Sequence, residues 1–277
     1  MTLIQAVILG GVQGLTEFLP VSSSGHLVLS QALFGIEEPM VAFDIALHGG
    51  TLLAVLVYFY ADIRDILTDF WRAVTRRGAQ EEKNVSGLQP PFHGVWISIL
   101  VTMLPTGILA FFFKDLFEKA FSDLLFVACA WLVMGTALIL SGRFQQGTKD
   151  LSCIRHGDAF WIGLAQGFAL APGISRSGST ILAGMALGLR RETAAKFSFL
   201  ISVPVVAGAV LLDLKRSLDF FEVHPGPWVA GFATSAVTGY LVVRWLMSVI
   251  QKGRFFLFGY YCLVVGLFAF AVSFLSN

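Results

Sequence analysis

The residues able to do chemistry gather in two polar runs, Gln13-Gly-Leu-Thr-Glu17-Phe-Leu-Pro-Val-Ser22-Ser-Ser-Gly-His26 and Pro172-Gly-Ile-Ser-Arg176-Ser-Gly178. Gln13 and Glu17 are spaced i, i+4 and share one helix face. A carboxylate there can hold a hard cation such as Mg²⁺ or Ca²⁺, assisted by Gln13, or act as a base. The plainer alternative is a helix-surface Glu at the membrane interface. Ser22, Ser23 and Ser24 offer three hydroxyls beside the flexible Gly25 and the imidazole of His26. A half-helix opening at Gly25 would aim free N–H groups and its dipole at an anion. Ser23 and His26 lie three apart, within reach of a hydroxyl–imidazole pair on one turn. A capped helix start with a satisfied histidine is the alternative. In the second run, the planar fork of Arg176 suits a phosphate or a carboxylate. A structural ion pair with Glu17 is the other reading, and the two are compatible if a resting pair opens for phosphate. Ser175, Ser177, Gly173 and Gly178 could bring a hydroxyl or a backbone N–H to the same anion. Asp44 and His48, again i, i+4, read as a helix-packing pair, with His48 alternatively supporting the site.

A cation-binding carboxylate, a hydroxyl, an imidazole and an arginine around one anion fit phosphoryl transfer, where positioning and charge stabilisation dominate. Something must bring these runs together, and composition says in what solvent. The chain has 277 residues, 56% hydrophobic and 13% charged, with a mean hydropathy of +0.76. A soluble domain carries about 25% charged residues, so lipid is the simpler solvent. A net charge of +1 gives no basic field for nucleic acid. Cys129, Cys153 and Cys262 lie far apart and read as apolar fillers. The apolar start has neither a basic n-region nor a small-residue cleavage site, so no cleaved signal peptide is expected.

A membrane span needs about 20 mostly apolar residues. Stretches near 41–61, 93–113, 122–141, 193–213, 227–250 and 255–275 qualify. Residues 3–36 and 157–189 are apolar but broken in the middle by Pro, Gly and Ser, which predicts two re-entrant helical hairpins whose breaks are the two polar runs. Irregular backbone is tolerated at membrane depth only inside protein or beside a polar cavity. At an offset of 153 the breaks align: five of the thirteen positions 13–25 are identical, and Gly35 meets Gly188. Three spans separate the hairpins, so the second enters from the opposite face. The expected fold is all-α and integral to the membrane, an inverted-topology repeat of six spans and two hairpins in one domain, 1–277. Repeat 1 covers about 1–113 and repeat 2 about 157–250, with 122–141 linking them and 255–275 as a final span. Of the lysines and arginines outside the spans, twelve fall on one side and four on the other. The twelve-charge side is expected to be cytoplasmic, which puts both termini in the periplasm. The long 62–92 loop is expected to be partly helical and disordered around Gln80–Asn84.

These two runs closely resemble the signature segments of the undecaprenyl-pyrophosphate phosphatase family, also called bacitracin-resistance proteins. The resemblance spans essentially the whole chain, including Phe197-Ser-Phe-Leu-Ile-Ser-Val-Pro204. It implies dephosphorylation of undecaprenyl pyrophosphate to the monophosphate carrier lipid, recycling that lipid for peptidoglycan synthesis in a bacterial inner membrane. It also implies a divalent cation, an active site open to the periplasm, an association with bacitracin resistance, and it allows a homodimer. By motif, Glu17, Ser23, His26 and Arg176 stand at the family's functional positions. One familiar variant has Glu at position 13 and Thr at position 24, so Gln13 is given only a polar assisting role. Two mechanisms stay open. Ser23 attacks the terminal phosphorus while His26 or Glu17 takes its proton, or His26 attacks to give a phosphohistidine.

The main rival is a lipid transporter or flippase, because inverted repeats with broken helices are a transporter design. Against it stands the nucleophile-bearing cluster, which a carrier does not need. Ser24-Gly25-His26 is also similar to the Ser-Gly-His of phosphatidic-acid phosphatases, but the sequence after Ser175-Arg176, SGSTILAGMA, lacks the histidine that family requires.

Overall fold

A computed structural model describes residues 1–36, 40–75, 94–120 and 123–275. Among these residues every regular element is helical apart from one isolated bridge, Lys149 to Leu189. Six helices are long and apolar enough to cross a membrane: α3 (Val41–Tyr58), α5 (Val95–Phe112), α7 (Leu124–Ser141), α10 (Arg191–Leu212), α12 (Pro225–Gln251) and α13 (Leu257–Leu275). They match the six spans expected from sequence. Their outward faces are large and apolar, as at Leu104, Phe111, Leu212, Val264 and Phe268, the surface lipid selects. The chain is a multi-pass membrane protein.

Where the sequence is broken, the helices are short. α1 (Leu3–Thr16) and α2 (Ser23–Leu33) flank the first break; α8 (His156–Phe168) and α9 (Arg176–Ala186) flank the second. The 14 residues of α1 rise about 21 Å, less than the roughly 30 Å of a hydrocarbon core. Local chemistry sets their ends. Thr2 and Gln5 form a capping box at the start of α1. Ser175 caps α9 by accepting from the Gly178 N–H at 3.1 Å.

One boundary differs from expectation. The first full span stops at Tyr58 rather than 61; Phe59 leaves helical geometry (φ −101°, ψ 22°) and α4 (Tyr60–Val74) restarts. Asp62, Arg64, Asp65, Asp69 and Arg72 give α4 a charged face that would be costly in lipid, so the chain must turn away from the span. This is the helical part expected of the long loop; the expectation for Gln80–Asn84 lies outside the described residues.

Small residues let the short helices approach the long ones. α1 lies along α12, and a Cβ on Gly14 would come within 2.7 Å of the Ser235 carbonyl oxygen. α8 lies along α5 in the same manner, where a Cβ on Gly163 would run into the Thr102 carbonyl oxygen. Such close backbone approach is how helices gain dispersion contacts where lipid offers no hydrophobic drive.

Candidate active site

Both breaks arrive at one place. After α1, Pro20 cannot continue the helix, and Val21 N–H bonds back to the Leu19 carbonyl at 2.8 Å. Ser22 then takes φ +66°, alone among the described non-glycine residues in having a positive φ, and α2 starts at Ser23. Buried backbone carbonyls in such a turn need donors, and those of residues 19 to 22 each find one. Ser175 and Ser177 hydroxyls donate to the Leu19 carbonyl at 3.2 and 3.1 Å. The Cys262 thiol reaches the Pro20 carbonyl at 3.3 Å, the Trp131 indole N–H the Val21 carbonyl at 2.9 Å, and His26 Nδ1 the Ser22 carbonyl at 2.8 Å. The second break therefore clamps the first through two serine hydroxyls, and α7 and α13 supply further donors.

At the centre sits Glu17, the C-cap of α1 and 8% exposed. Its Oε2 accepts from the Ser23 hydroxyl at 2.7 Å and from Gln13 Nε2 at 3.0 Å. Its Oε1 accepts from Arg176 Nη2 at 2.5 Å across 159 residues of chain. His48 Nε2 approaches Oε2 at 3.8 Å, while its Nδ1 meets the Asp44 carbonyl at 2.8 Å. Gln31 Nε2 donates to the Asp44 carboxylate at 2.8 Å. A buried ion pair gains from attraction only what desolvation leaves, and this one is not saturated. Arg176 Nη1 and Gln13 Oε1 are buried without a hydrogen-bond partner. Gln166 Oε1 shares that condition, so an orphaned glutamine oxygen alone marks nothing. An unpartnered guanidinium nitrogen beside a carboxylate and a hydroxyl is a more informative feature, since it leaves a charged donor that an anion can accept from.

The remaining sequence candidates fall into two groups. Ser23, Ser24 and His26 are half-buried and line the start of α2; Ser22 is buried, its hydroxyl 3.3 Å from that of Ser24. Ser175, Ser177, Gly25, Gly173 and Gly178 are turned to structural work. The serine hydroxyls hold Leu19 and lie 3.1 Å apart. A Cβ on Gly25 would sit 2.6 Å from the Trp131 ring. Gly173 has φ +86° and backs onto the Val127 carbonyl, while the Gly178 N–H is taken by Ser175.

One pairing differs from expectation. Ser23 bonds Glu17, and His26 does not bond Ser23. A helical side chain leans back toward the preceding turn, which brings His26 Nδ1 to the Ser22 carbonyl; its Nε2 meets the Tyr261 hydroxyl at 2.7 Å. Trp131 packs edge-on against the imidazole and Tyr261 stacks on it, each at 5.7 Å between centroids. Trp131, Tyr261 and the structural use of Cys262 are invisible to spacing arguments, since they lie more than a hundred residues from their partners. The only hint was polar aromatic groups in otherwise apolar spans.

A hard divalent cation wants several oxygen donors, often mostly from phosphate and water. Among the described residues no three His, Cys, Asp or Glu cluster to cage one. Glu17 with the unpartnered Gln13 Oε1 supplies two oxygens, a set that fits a cation arriving with its substrate's phosphates.

Sequence comparison gives the lineage of this arrangement. Residues 6–268 match the sequence model of a family described as bacitracin resistance protein BacA. The chain is 42% identical over 278 residues to an undecaprenyl-diphosphatase of Desulforapulum autotrophicum, with all of both chains covered. It is 44% identical over 270 residues to one of Desulfosudis oleivorans, covering 95% of this chain and 96% of that one. A Methanobrevibacter smithii undecaprenyl-diphosphatase is 41% identical, over 99% of this chain and 98% of its own. With its two polar breaks inside that match and full-length relatives at such identity, the chain belongs to the BacA family.

Proposed function

We propose that this membrane protein hydrolyses undecaprenyl pyrophosphate to undecaprenyl phosphate and inorganic phosphate, recycling the carrier lipid, at the site around Glu17. The observation that carries the chemistry is the Ser23–Glu17–Arg176 chain around a buried carboxylate, with its open Arg176 Nη1. In the first step the Ser23 hydroxyl proton passes to Glu17 Oε2 as Ser23 Oγ attacks the terminal phosphorus. The bridging P–O bond breaks and undecaprenyl phosphate leaves. Arg176, with one nitrogen on Glu17 and one unpartnered, turns its fork to the phosphoryl oxygens, where charge spreads in the transition state. Water then attacks the phosphoserine and the Oγ–P bond breaks: Glu17 returns its proton to Ser23 Oγ, the Tyr261 hydroxyl turns off His26 Nε2, which takes the water's proton and passes it to solvent, and inorganic phosphate departs. A divalent cation held by Glu17 and Gln13 with the substrate's own oxygens would neutralise pyrophosphate charge.

Ser22 and Ser24 lie at the same helix start and contribute hydroxyls toward the phosphates. Ser175, Ser177 and the three glycines shape that cradle without needing to touch the anion. Attack by His26 itself, the other mechanism, is less favoured, because Ser23 already donates to a carboxylate able to take its proton. Trapping a phosphoenzyme and mapping it by peptide mass tests this: phosphate on Ser23 is expected, and phosphate on His26 would overturn it.

We also read α1–α2 and α8–α9 as re-entrant hairpins of an inverted repeat. Support comes from helix lengths, and from α1 on α12 answering α8 on α5, with Gly14 and Gly163 at the close approaches. Termini in the periplasm of a bacterial inner membrane, and a site opening there, rest on the lysine and arginine bias and on family resemblance.

A further inference from the structure

We propose that Tyr261, on the final span, is a positioning residue for His26, fixing its tautomer and ring orientation. The inference deepens the function proposed above and rests on His26 acting as base in the second step. It begins from hydrogen-bond arithmetic. A backbone carbonyl only accepts, so the Ser22 carbonyl 2.8 Å from His26 Nδ1 requires a proton on Nδ1. In the neutral ring Nε2 is then the bare nitrogen, and the group 2.7 Å from it is the Tyr261 hydroxyl, which must donate. When Nε2 gains a proton, the same oxygen becomes its acceptor after one rotation about C–O. The phenol holds the neutral ring until water arrives, yields the Nε2 lone pair by that rotation, and then accepts from the protonated nitrogen.

The packing agrees. Tyr261 lies nearly parallel to the imidazole, 16° between planes, while Trp131 closes the ring edge at 71°. Residue 262 grips the same loop, its thiol on the Pro20 carbonyl. The alternative for a tyrosine on a membrane span is the interfacial belt, where hydroxyls turn to head groups. Tyr261 has 47% of its surface exposed, yet its hydroxyl turns inward onto His26. The positive φ of Ser22 belongs to the same device, because that residue's carbonyl sets the Nδ1 proton.

The test compares purified wild type, Tyr261→Phe, His26→Gln and the double variant on undecaprenyl pyrophosphate. Tyr261→Phe keeps the stacked ring and is expected to lower kcat about fivefold to tenfold, the scale of one lost hydrogen bond, with KM changed less than about twofold because the phosphate contacts are untouched. In the double variant no loss beyond that of His26→Gln is expected, since the phenol acts only through the imidazole. Multiplying losses, or a wild-type kcat in Tyr261→Phe, would overturn the assignment. If His26→Gln itself keeps wild-type kcat, the role of His26 fails, and that of Tyr261 with it. Should Tyr261→Phe not fold, ¹⁵N spectra of histidine-labelled wild type, with His26 assigned by difference from His26→Gln, decide instead. A protonated Nδ1 and a hydrogen-bonded, unprotonated Nε2 support the proposal; a protonated Nε2 in the neutral ring overturns it.

Discussion

At the scale of single residues, the proposed function assigns some groups to structure and others to chemistry, and variants can tell them apart. Ser23→Ala removes one hydrogen bond to Glu17, worth about 1 kcal/mol. Thermal unfolding should barely change while phosphate release is abolished. Glu17→Gln strips the partner from a buried guanidinium, a loss of about 3–5 kcal/mol, so both the melting temperature and activity should fall. Arg176→Lys keeps the charge but not the fork, and activity should drop roughly 10²-fold, the scale of losing one preorganised donor. An Arg176→Lys enzyme as fast as wild type would remove the guanidinium from the transition state. The Glu17–Arg176 pairing was among the readings open to sequence, because a membrane-buried arginine demands an anion and few carboxylates are placed to meet it. The partner of the Ser23 hydroxyl stayed open between His26 and Glu17. Spacing suggested His26 for that hydroxyl, but the turn between α1 and α2 folds Ser23 back onto the end of the helix before it.

Among the elements, the two breaks depend on one another. Ser175 and Ser177 both donate to Leu19, so the second break holds the first in place. Replacing both by Ala should cost about 1–3 kcal/mol, leaving a buried carbonyl with less than its due. It should also lower kcat, because the end of α1 carries Glu17. A double-mutant cycle between the serines should be non-additive, since they share one acceptor and bond each other. Unchanged kcat in the double variant would mean that the loop keeps its shape unaided. The positions of these breaks were legible from Pro, Gly and Ser interrupting apolar runs. That the serine hydroxyls would bond a carbonyl of the other break was not, because a hydroxyl serves an anion and a carbonyl equally well and sequence does not choose between them.

For the whole molecule, the six spans were legible because length and apolarity suffice to recognise a helix that crosses lipid. What sequence could not give is the use made of the two spans outside the expected repeats. α7 and α13 pack along each other and bring Trp131, Tyr261 and Cys262 to the first break. These are contacts over 110, 235 and 242 residues, set by packing rather than by any local pattern. The expected orientation has its own check at this scale. A membrane-impermeant thiol reagent should label Ser23→Cys, in a background lacking the three native cysteines, from the periplasmic side; labelling only from the cytoplasm would reverse the site's opening.

The central claim is that the Glu17, Ser23 and Arg176 cluster hydrolyses a lipid pyrophosphate. The most direct measurement is phosphate release from undecaprenyl pyrophosphate by the purified protein, with Mg²⁺ or Ca²⁺ and then with EDTA, beside an Arg176→Ala variant shown to be folded. Release that requires the cation and is lost in the variant is the predicted result. Folded wild-type protein releasing no more phosphate than the variant would contradict the account and make a lipid carrier the function to pursue.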